Sequence, residues 1–161
     1  MGDAVIREIT PADNVQVAQV IRKVLEDMGV PKVGTAYADK ALEDMYEAYN
    51  VPKAVYYVIE DNGQIIGCAG VAKLDKHDGS VCELQKMYLL EKARGRGLGT
   101  QMISRCLESA KEYGFEHCYL ETMPYMEAAQ KLYKKNGFEY IDAPMGNTGH
   151  YSCPVWMLKK I

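Results

Sequence analysis

The sequence predicts a mixed α/β (α+β) fold, in which one mostly antiparallel sheet of about seven strands is flanked by four helices. Three observations support this. Seven short segments are rich in β-branched and aromatic residues, and four segments repeat apolar residues at helical spacing. A strand–helix–strand unit in the second half requires a parallel pair within the sheet. The chain shows no repeat, low-complexity tract or linker, so we expect one domain over residues 1–161.

The chain opens with a strand and a helix. The stretch "AVIREIT" alternates apolar and polar residues, as a half-buried strand does. Apolar residues then recur at helical spacing from Val17 to Met28, and Gly29 ends this first helix. A second helix is expected over residues 37–49, before Pro52.

Three β-rich stretches occupy the middle of the chain: "AVYYVIE", "QIIGCAGVAKL" and "VCELQKMYLL". The turn sequence Asp61-Asn62-Gly63 joins the first two stretches, and a loop precedes the third. We therefore expect three successive antiparallel strands.

The second half alternates helices and strands. Apolar residues from Leu98 to Ala110 predict a helix that ends at Gly114, and "HCYLET" is a short strand. Pro124 suits the first turn of a further helix, which Gly137 ends. The stretches "FEYIDA" and "SCPVWMLKKI" complete the predicted strands.

Charge and cysteine usage exclude several classes of protein. A net charge of −3 argues against a nucleic-acid partner, because proteins that neutralise phosphates usually carry a basic surface. The N-terminus lacks the features of a signal peptide, and no stretch approaches the ~18 apolar residues of a membrane span. The five cysteines show no C-x-x-C spacing, so no disulfide framework or metal site is indicated. We expect a cytoplasmic protein with mostly buried, reduced thiols and no membrane partner.

The stretch "EKARGRGLGTQM", residues 91–102, follows a predicted strand and opens a predicted helix. The start of a helix offers unpaired amide groups and a partial positive charge, and glycines let a phosphate approach them. Arg94 and Arg96 add positive charge. No Lys-Ser/Thr follows the last glycine and no ribose-binding acid is well placed, which excludes a P-loop and a Rossmann motif. The stretch predicts another kind of pyrophosphate site, although a purely structural turn uses the same residues.

Two motifs carry a resemblance to a known family. Arg94, Gly97 and Gly99 match Arg/Gln-x-x-Gly-x-Gly/Ala, and "LYKKNGFEY", residues 132–140, matches Leu-Tyr-x-x-x-Gly-Phe. Both patterns, and the strand order over nearly the whole chain, resemble the GNAT superfamily of acetyl-CoA-dependent N-acetyltransferases. The resemblance implies a GNAT fold with a splayed parallel strand pair at its centre. It also implies transfer of an acetyl group from acetyl-CoA to a primary amine by direct attack in a ternary complex.

The resemblance assigns a cofactor site and no metal. Amides of residues 95–100 are implied to hold the pyrophosphate of coenzyme A, and the end of the third central strand to pair with its pantetheine arm. The implied cofactor-binding residues are Met87, Tyr88, Leu89, Arg94, Gly95, Arg96, Gly97, Leu98, Gly99 and Thr100.

The same resemblance assigns catalytic residues. Tyr133 occupies the position of the family's general acid, and Glu83 or Glu121 is implied as the base. Glu83 is preferred, because strand alternation would place Glu83, Gln85, Met87 and Leu89 on one face, from which Glu83 can point into the cleft. An asparagine that commonly binds the cofactor falls at Met126, which cannot make that hydrogen bond.

The sequence leaves alternatives open for the activity and for the acceptor. A catalytically inactive sensor domain that binds coenzyme A would keep the glycine turn without turnover. The acceptor is implied to be an amine of a small molecule or a peptide, and His150 can line the acceptor side. Acidic residues on the first two helices can attract a cationic amine, although such charges usually form a solvated face; they are Glu26, Asp27, Glu43, Asp44 and Glu47. A homodimer is possible, since dimers are the commonest soluble assembly.

Overall fold

The computed structural model describes residues 3–33, 37, 39–148 and 153–161. In these ranges seven strands form one sheet in the order β1-β2-β3-β4-β5-β7-β6, and only β4 and β5 pair in parallel. The strands are β1 Val5–Glu8, β2 Val55–Asp61, β3 Gln64–Lys73, β4 Val81–Leu89, β5 His117–Thr122, β6 Glu139–Ile141 and β7 Val155–Lys160. The helices are α1 Asn14–Asp27, α2 Met45–Tyr49, α3 Leu98–Glu112 and α4 Glu127–Lys135. The predicted fold class is confirmed.

The sheet separates two apolar clusters. On one face, α3 and the α4 residues Leu132 and Tyr133 pack against the central strands. On the other face, α1 and α2 cover the same strands, with Ile21, Leu25 and Met45 almost fully buried. No helix in the described ranges is both long enough and apolar enough to cross a bilayer. Four of the five cysteines are buried and all five are free thiols, as predicted.

Two predicted helices differ from the observed ones. Residues 37–49 do not form one helix: a 3-10 segment, Lys40–Asp44, precedes the five-residue α2, and residue 38 lies outside the described ranges. The backbone of Asp44, at φ −129° and ψ 43°, interrupts the helix. Leu42, Met45 and Tyr49 are buried in this arrangement, so their apolar spacing did not require a continuous helix.

Helix α4 begins three residues later than predicted, at Glu127, and Pro124 lies in the preceding turn. The side-chain amide of Gln130 donates to the carbonyl oxygens of Met123 and Pro124, at 2.7 and 3.2 Å. These bonds satisfy carbonyls ahead of the helix and hold the turn outside it.

A bulge in β4 changes which side chains share a face. Gly70 pairs with Gln85 and Cys68 with Tyr88, so β4 has one more residue than β3 in this interval. Lys86 lies in the bulge at φ 47°, and its carbonyl accepts a 2.6 Å hydrogen bond from the Tyr56 hydroxyl.

The prediction that Glu83, Gln85, Met87 and Leu89 share one face is therefore wrong. Met87 and Leu89 pack with the cluster under α3 and α4. Gln85 bonds to Tyr49 of α2 on the opposite face, and Glu83 bonds to Gln85. The alternation that predicted a common face holds only on each side of the bulge.

The parallel pair separates early, as expected. β4 pairs with β5 only from Val81 to Glu83. From Leu84 to Leu89 that edge of β4 has no strand partner among the described residues, while β5 stays paired with β7 up to Thr122. The separation leaves a gap in the sheet, between the apolar clusters on its two faces.

Candidate active site

A cleft of about 440 Å³ lies where β4 and β5 separate. It is lined by the C-terminal end of α1, β4, the turn before α3, the end of β5 and α4. Most of the predicted site residues line it: Glu83, Met87, Tyr88, Leu89, Arg94, Gly95, Gly97, Leu98, Gly99, Thr100, Glu121 and Tyr133. Arg96 is the predicted residue that does not. His150 lies outside the described residues.

The glycine turn presents the start of α3 to this cleft. Gly95 and Gly97 have φ of 71° and 75°, a left-handed conformation that glycine adopts without strain, and a Cβ on either would meet nothing within 4 Å. Gly97 is the N-cap of α3, and the Gln101 amide donates to its carbonyl at 3.2 Å. The amides of residues 98–100 belong to the first turn of α3, where no intrahelical acceptor exists. The turn can thus hold an anion.

Gly99 has a different reason to be glycine. A Cβ at this position would lie 2.7 Å from a methyl group of Leu132. The absence of a side chain therefore lets α3 pack directly against α4, which carries Tyr133.

The two arginines of the turn have separate roles. Arg94 lines the cleft, is exposed, and donates from Nε to the Leu89 carbonyl at 3.2 Å. Arg96 forms an ion pair with Asp61 at 3.1 Å and donates to the Lys92 carbonyl at 3.2 Å. Arg96 therefore connects the turn to the β2–β3 hairpin, and of the two arginines only Arg94 lines the cleft.

Tyr133 reaches the cleft from α4. Its ring packs edge-on against Phe138, with 6.1 Å between ring centroids, and the residue is only 8% exposed. Burial raises the pKa of Tyr133 to about 12. The hydroxyl therefore keeps its proton at neutral pH and can donate it inside the cleft.

Glu83 is the last residue of β4 that pairs with β5, where the cleft begins, and is 6% exposed. Its Oε1 accepts a 2.7 Å hydrogen bond from the Gln85 side-chain amide. Gln85 in turn accepts a hydrogen bond from the Tyr49 hydroxyl. Since Glu83 and Tyr133 belong to opposite faces of the sheet, they approach the cleft from its two sides.

Glu121 has a more constrained environment. One carboxylate oxygen accepts a 2.6 Å hydrogen bond from the Tyr119 hydroxyl, and the other accepts one from the Thr148 hydroxyl. The Tyr119 oxygen also accepts from the Met145 amide at 3.2 Å. Glu121 thereby holds the segment after β6 against β5.

Several cleft residues were not predicted from the sequence. Apolar side chains of Val24, Leu25, Met28 and Val30 line one wall. Their apolar character is that of ordinary core residues, so no pattern distinguished them. Met126, which stands at the position of the family's asparagine, lines the cleft as the N-cap of α4.

Cys153 also lines the cleft. Burial, with smaller effects from the Glu121 and Glu83 carboxylates, raises the pKa of the Cys153 thiol to about 12. The thiol therefore stays protonated at neutral pH and is a weak nucleophile. A single cysteine outside any spacing motif carries no sequence signal for such a position.

A cleft between separating strands, with an anion-binding turn at one end, fits an acyl-group transferase. The acetyltransferase (GNAT) family model matches residues 21–138. An Escherichia coli (strain K12) relative, the uncharacterized N-acetyltransferase YjgM, is 40% identical over 158 residues, which cover 98% of this chain and 95% of that protein. The chain therefore belongs to the GNAT acetyltransferase family and is an acyltransferase enzyme.

Solved structures show the same fold. A GNAT-family acetyltransferase from Staphylococcus aureus Mu50 superposes with a TM-score of 0.87 at 20% identity and covers 98% of this chain and 99% of its own. The PaiA N-acetyltransferase of Thermoplasma acidophilum, solved in complex with coenzyme A, has a TM-score of 0.74 at 17% identity, with 99% coverage of each chain.

Proposed function

We propose that this protein transfers an acetyl group from acetyl-CoA to a primary amine of a small molecule or peptide, by direct attack in a ternary complex. The observation that carries the proposal is the placement of an open helix-start turn and an unpaired strand edge in one cleft with Glu83 and Tyr133. Coenzyme A carries a pyrophosphate at one end and an amide-containing arm at the other, so it needs both features.

The residues fit this cosubstrate. The open space before Gly95 and Gly97 leaves room for a pyrophosphate at the amides of α3, and Arg94 adds a positive charge. From Leu84 to Leu89, the edge of β4 that pairs with no strand in the described part of the chain offers backbone groups to the amides of the arm. The coenzyme A complex of the Thermoplasma acidophilum structure supports the same assignment.

The catalytic roles follow from the positions of the two polar side chains. Acetyl-CoA supplies an activated acetyl group on a thioester. Glu83 accepts a proton from the amine, directly or through a water molecule, because the amine must be neutral to attack. Tyr133 donates its hydroxyl proton to the leaving sulfur from the other side of the sheet. Glu121 is the alternative base, but both its oxygens already accept hydrogen bonds that fix a neighbouring segment.

Three further properties stay predictions: one domain over residues 1–161, a cytoplasmic location and a homodimer.

The acidic residues of the first two helices do not line the cleft, which argues against a role for them in attracting the acceptor. Glu43 pairs with Arg22, Glu47 accepts from Asn14, and Asp27 lies 3.2 Å from Lys23. They form a solvated and internally paired surface.

The function is tested by incubating the protein with acetyl-CoA and a panel of amines and detecting acetylated products by mass spectrometry. Product formation supports the proposal. Coenzyme A binding without turnover on any amine favours the sensor alternative. A ligand at a hundredfold excess over its Kd should stabilise the fold by about 2.7 kcal/mol, so a thermal melt unaffected by coenzyme A indicates a purely structural turn.

The charges near the proposed base, Glu83, predict a preference among amines. The Lys86 ammonium lies 2.8 Å from Asp39, while Glu83 and Glu121 add two negative charges to the cleft lining. A carboxylate next to the amino group would therefore meet like charges. We expect tyramine to exceed tyrosine, and 3-methylbutylamine to exceed leucine, by about tenfold or more in kcat/KM.

The variant Asp39→Asn should lower the ratio of kcat/KM values within each pair, because it frees the Lys86 ammonium to interact with an acceptor carboxylate. Asp27→Asn, on the exposed surface of α1, is the matched control and should leave the ratio unchanged. Equal kcat/KM for the members of each wild-type pair would contradict the prediction.

A further inference from the structure

Tyr49 lies outside the cleft but is connected to it by hydrogen bonds. It is the last residue of α2, is 7% exposed, and does not line the cleft. Its hydroxyl donates to Oε1 of Gln85, and Nε2 of Gln85 donates to Oε1 of Glu83 at 2.7 Å. A two-bond chain therefore connects a buried phenol on α2 to the carboxylate assigned as the base.

The chemistry of the three groups fixes the direction of the chain. Burial, and secondarily the charge of Glu83, raises the pKa of Tyr49 well above its usual value, so its hydroxyl remains a donor. The Gln85 amide must then present its oxygen to Tyr49 and its NH2 group to Glu83. An ionised carboxylate only accepts hydrogen bonds, so Glu83 completes this order.

The surrounding contacts hold both ends of the chain in place. The Tyr49 ring packs against Tyr56 with 4.8 Å between centroids, and the Tyr56 hydroxyl bonds to the Lys86 carbonyl in the β4 bulge. The Lys86 side chain pairs with Asp39, just ahead of the 3-10 segment. The segment that carries Tyr49 is thus joined to β4 at Gln85 and at the residue that follows it.

We propose that Tyr49 and Gln85 are positioning residues that hold the Glu83 carboxylate in the orientation required for proton transfer from the amine. The inference rests on the proposed function, in which Glu83 is the base. Tyr49 acts through Gln85 and touches neither the acceptor nor acetyl-CoA. A rotating carboxylate spends less time aligned with the proton it must accept, so loss of the chain reduces turnover.

The first test removes one hydroxyl. Tyr49→Phe keeps the ring against Tyr56 and should lower kcat roughly three- to tenfold, with the KM for acetyl-CoA unchanged. Tyr46→Phe, on the same helix and outside the cleft lining, is the matched control and should retain full activity. Wild-type kcat in a folded Tyr49→Phe protein overturns the proposal.

The second test is a double-mutant cycle with Glu83→Gln, which removes the base but keeps an acceptor for the Gln85 amide. If Tyr49 acts through Glu83, adding Tyr49→Phe to Glu83→Gln should change kcat less than twofold further. Independent, multiplying losses would show a general structural effect and overturn the proposal. If Tyr49→Phe fails to fold, Gln85→Met can replace it in the cycle. It should likewise change kcat less than twofold when added to Glu83→Gln.

The positioning proposal and the proposed acetyl transfer can be contradicted separately. If Glu83→Gln retains wild-type turnover, the positioning proposal is overturned because there is no base to orient, yet acetyl transfer by the wild-type protein still stands. If the wild-type protein acetylates no amine, the proposed function itself fails.

Discussion

Replacement of Tyr133 by Phe is expected to lower kcat by about a hundredfold or more, while the Kd of acetyl-CoA stays nearly unchanged. The substitution removes the proton donor and retains the ring, whose edge-on contact with Phe138 does not involve the hydroxyl. Stopped-flow or steady-state kinetics with a saturating amine measures the loss, and equilibrium binding measures the affinity.

A control variant and a pH profile accompany this substitution. Tyr57→Phe removes another buried hydroxyl from the same apolar cluster, at a residue that bonds to Ser109 and does not line the cleft; it should leave kcat unchanged. In the wild-type enzyme, the Tyr133 pKa of about 12 means that activity should not fall through loss of this proton until the pH approaches that value. Full turnover in Tyr133→Phe would reject Tyr133 as the acid.

Replacement of Gly97 by Asp is expected to abolish measurable binding of acetyl-CoA. It places a carboxylate at the N-cap of α3, in the open space before the amides assigned to the pyrophosphate. Two like charges about 4 Å apart cost about 4 kcal/mol at an effective dielectric constant of about 20. That energy corresponds to roughly a thousandfold in Kd. Isothermal titration calorimetry with coenzyme A measures the change.

Backbone strain must be separated from charge in this experiment, because Gly97 has φ of 75°. Gly97→Asn has nearly the same shape and backbone preference without the charge, and should bind more tightly than Gly97→Asp. Gly63→Asp places a carboxylate at φ 76° in the β2–β3 turn, outside the cleft, and should bind coenzyme A normally. Normal binding by Gly97→Asp would show that the pyrophosphate lies elsewhere.

Local patterns were sufficient to predict most of the fold and the core of the site. The glycine turn before α3 and the Tyr133 motif depend on residues close together in the chain, and both fall in the cleft. Strand composition and the Asp61-Asn62-Gly63 turn likewise depend on neighbouring residues, and they correctly predicted β2 and β3 as a hairpin.

The β4 bulge could not be predicted because its partners are distant in sequence. It places a lysine, Lys86, at a positive φ and depends on a hydroxyl from Tyr56, two strands away in the sheet. Gly70 allows that contact, since a Cβ there would lie 2.4 Å from the Tyr56 ring. Period-two alternation does not include such an interruption, so it placed Met87 and Leu89 on the face of Glu83.

The position of Tyr49 beside Gln85 could not be predicted from the sequence for a related reason. Its apolar spacing with Leu42 and Met45 is satisfied by burial alone. Its hydrogen bond to Gln85 spans 36 positions of the chain and exists only once α2 has packed on the sheet.

The close approach of Gly99 to Leu132 places α3 and α4 in direct contact. Leu132 immediately precedes Tyr133, so we expect a displacement of the first turn of α3 by a bound diphosphate to move the helix that carries Tyr133 as well. Occupancy of the glycine turn should then change the alignment of the Tyr133 hydroxyl in the cleft.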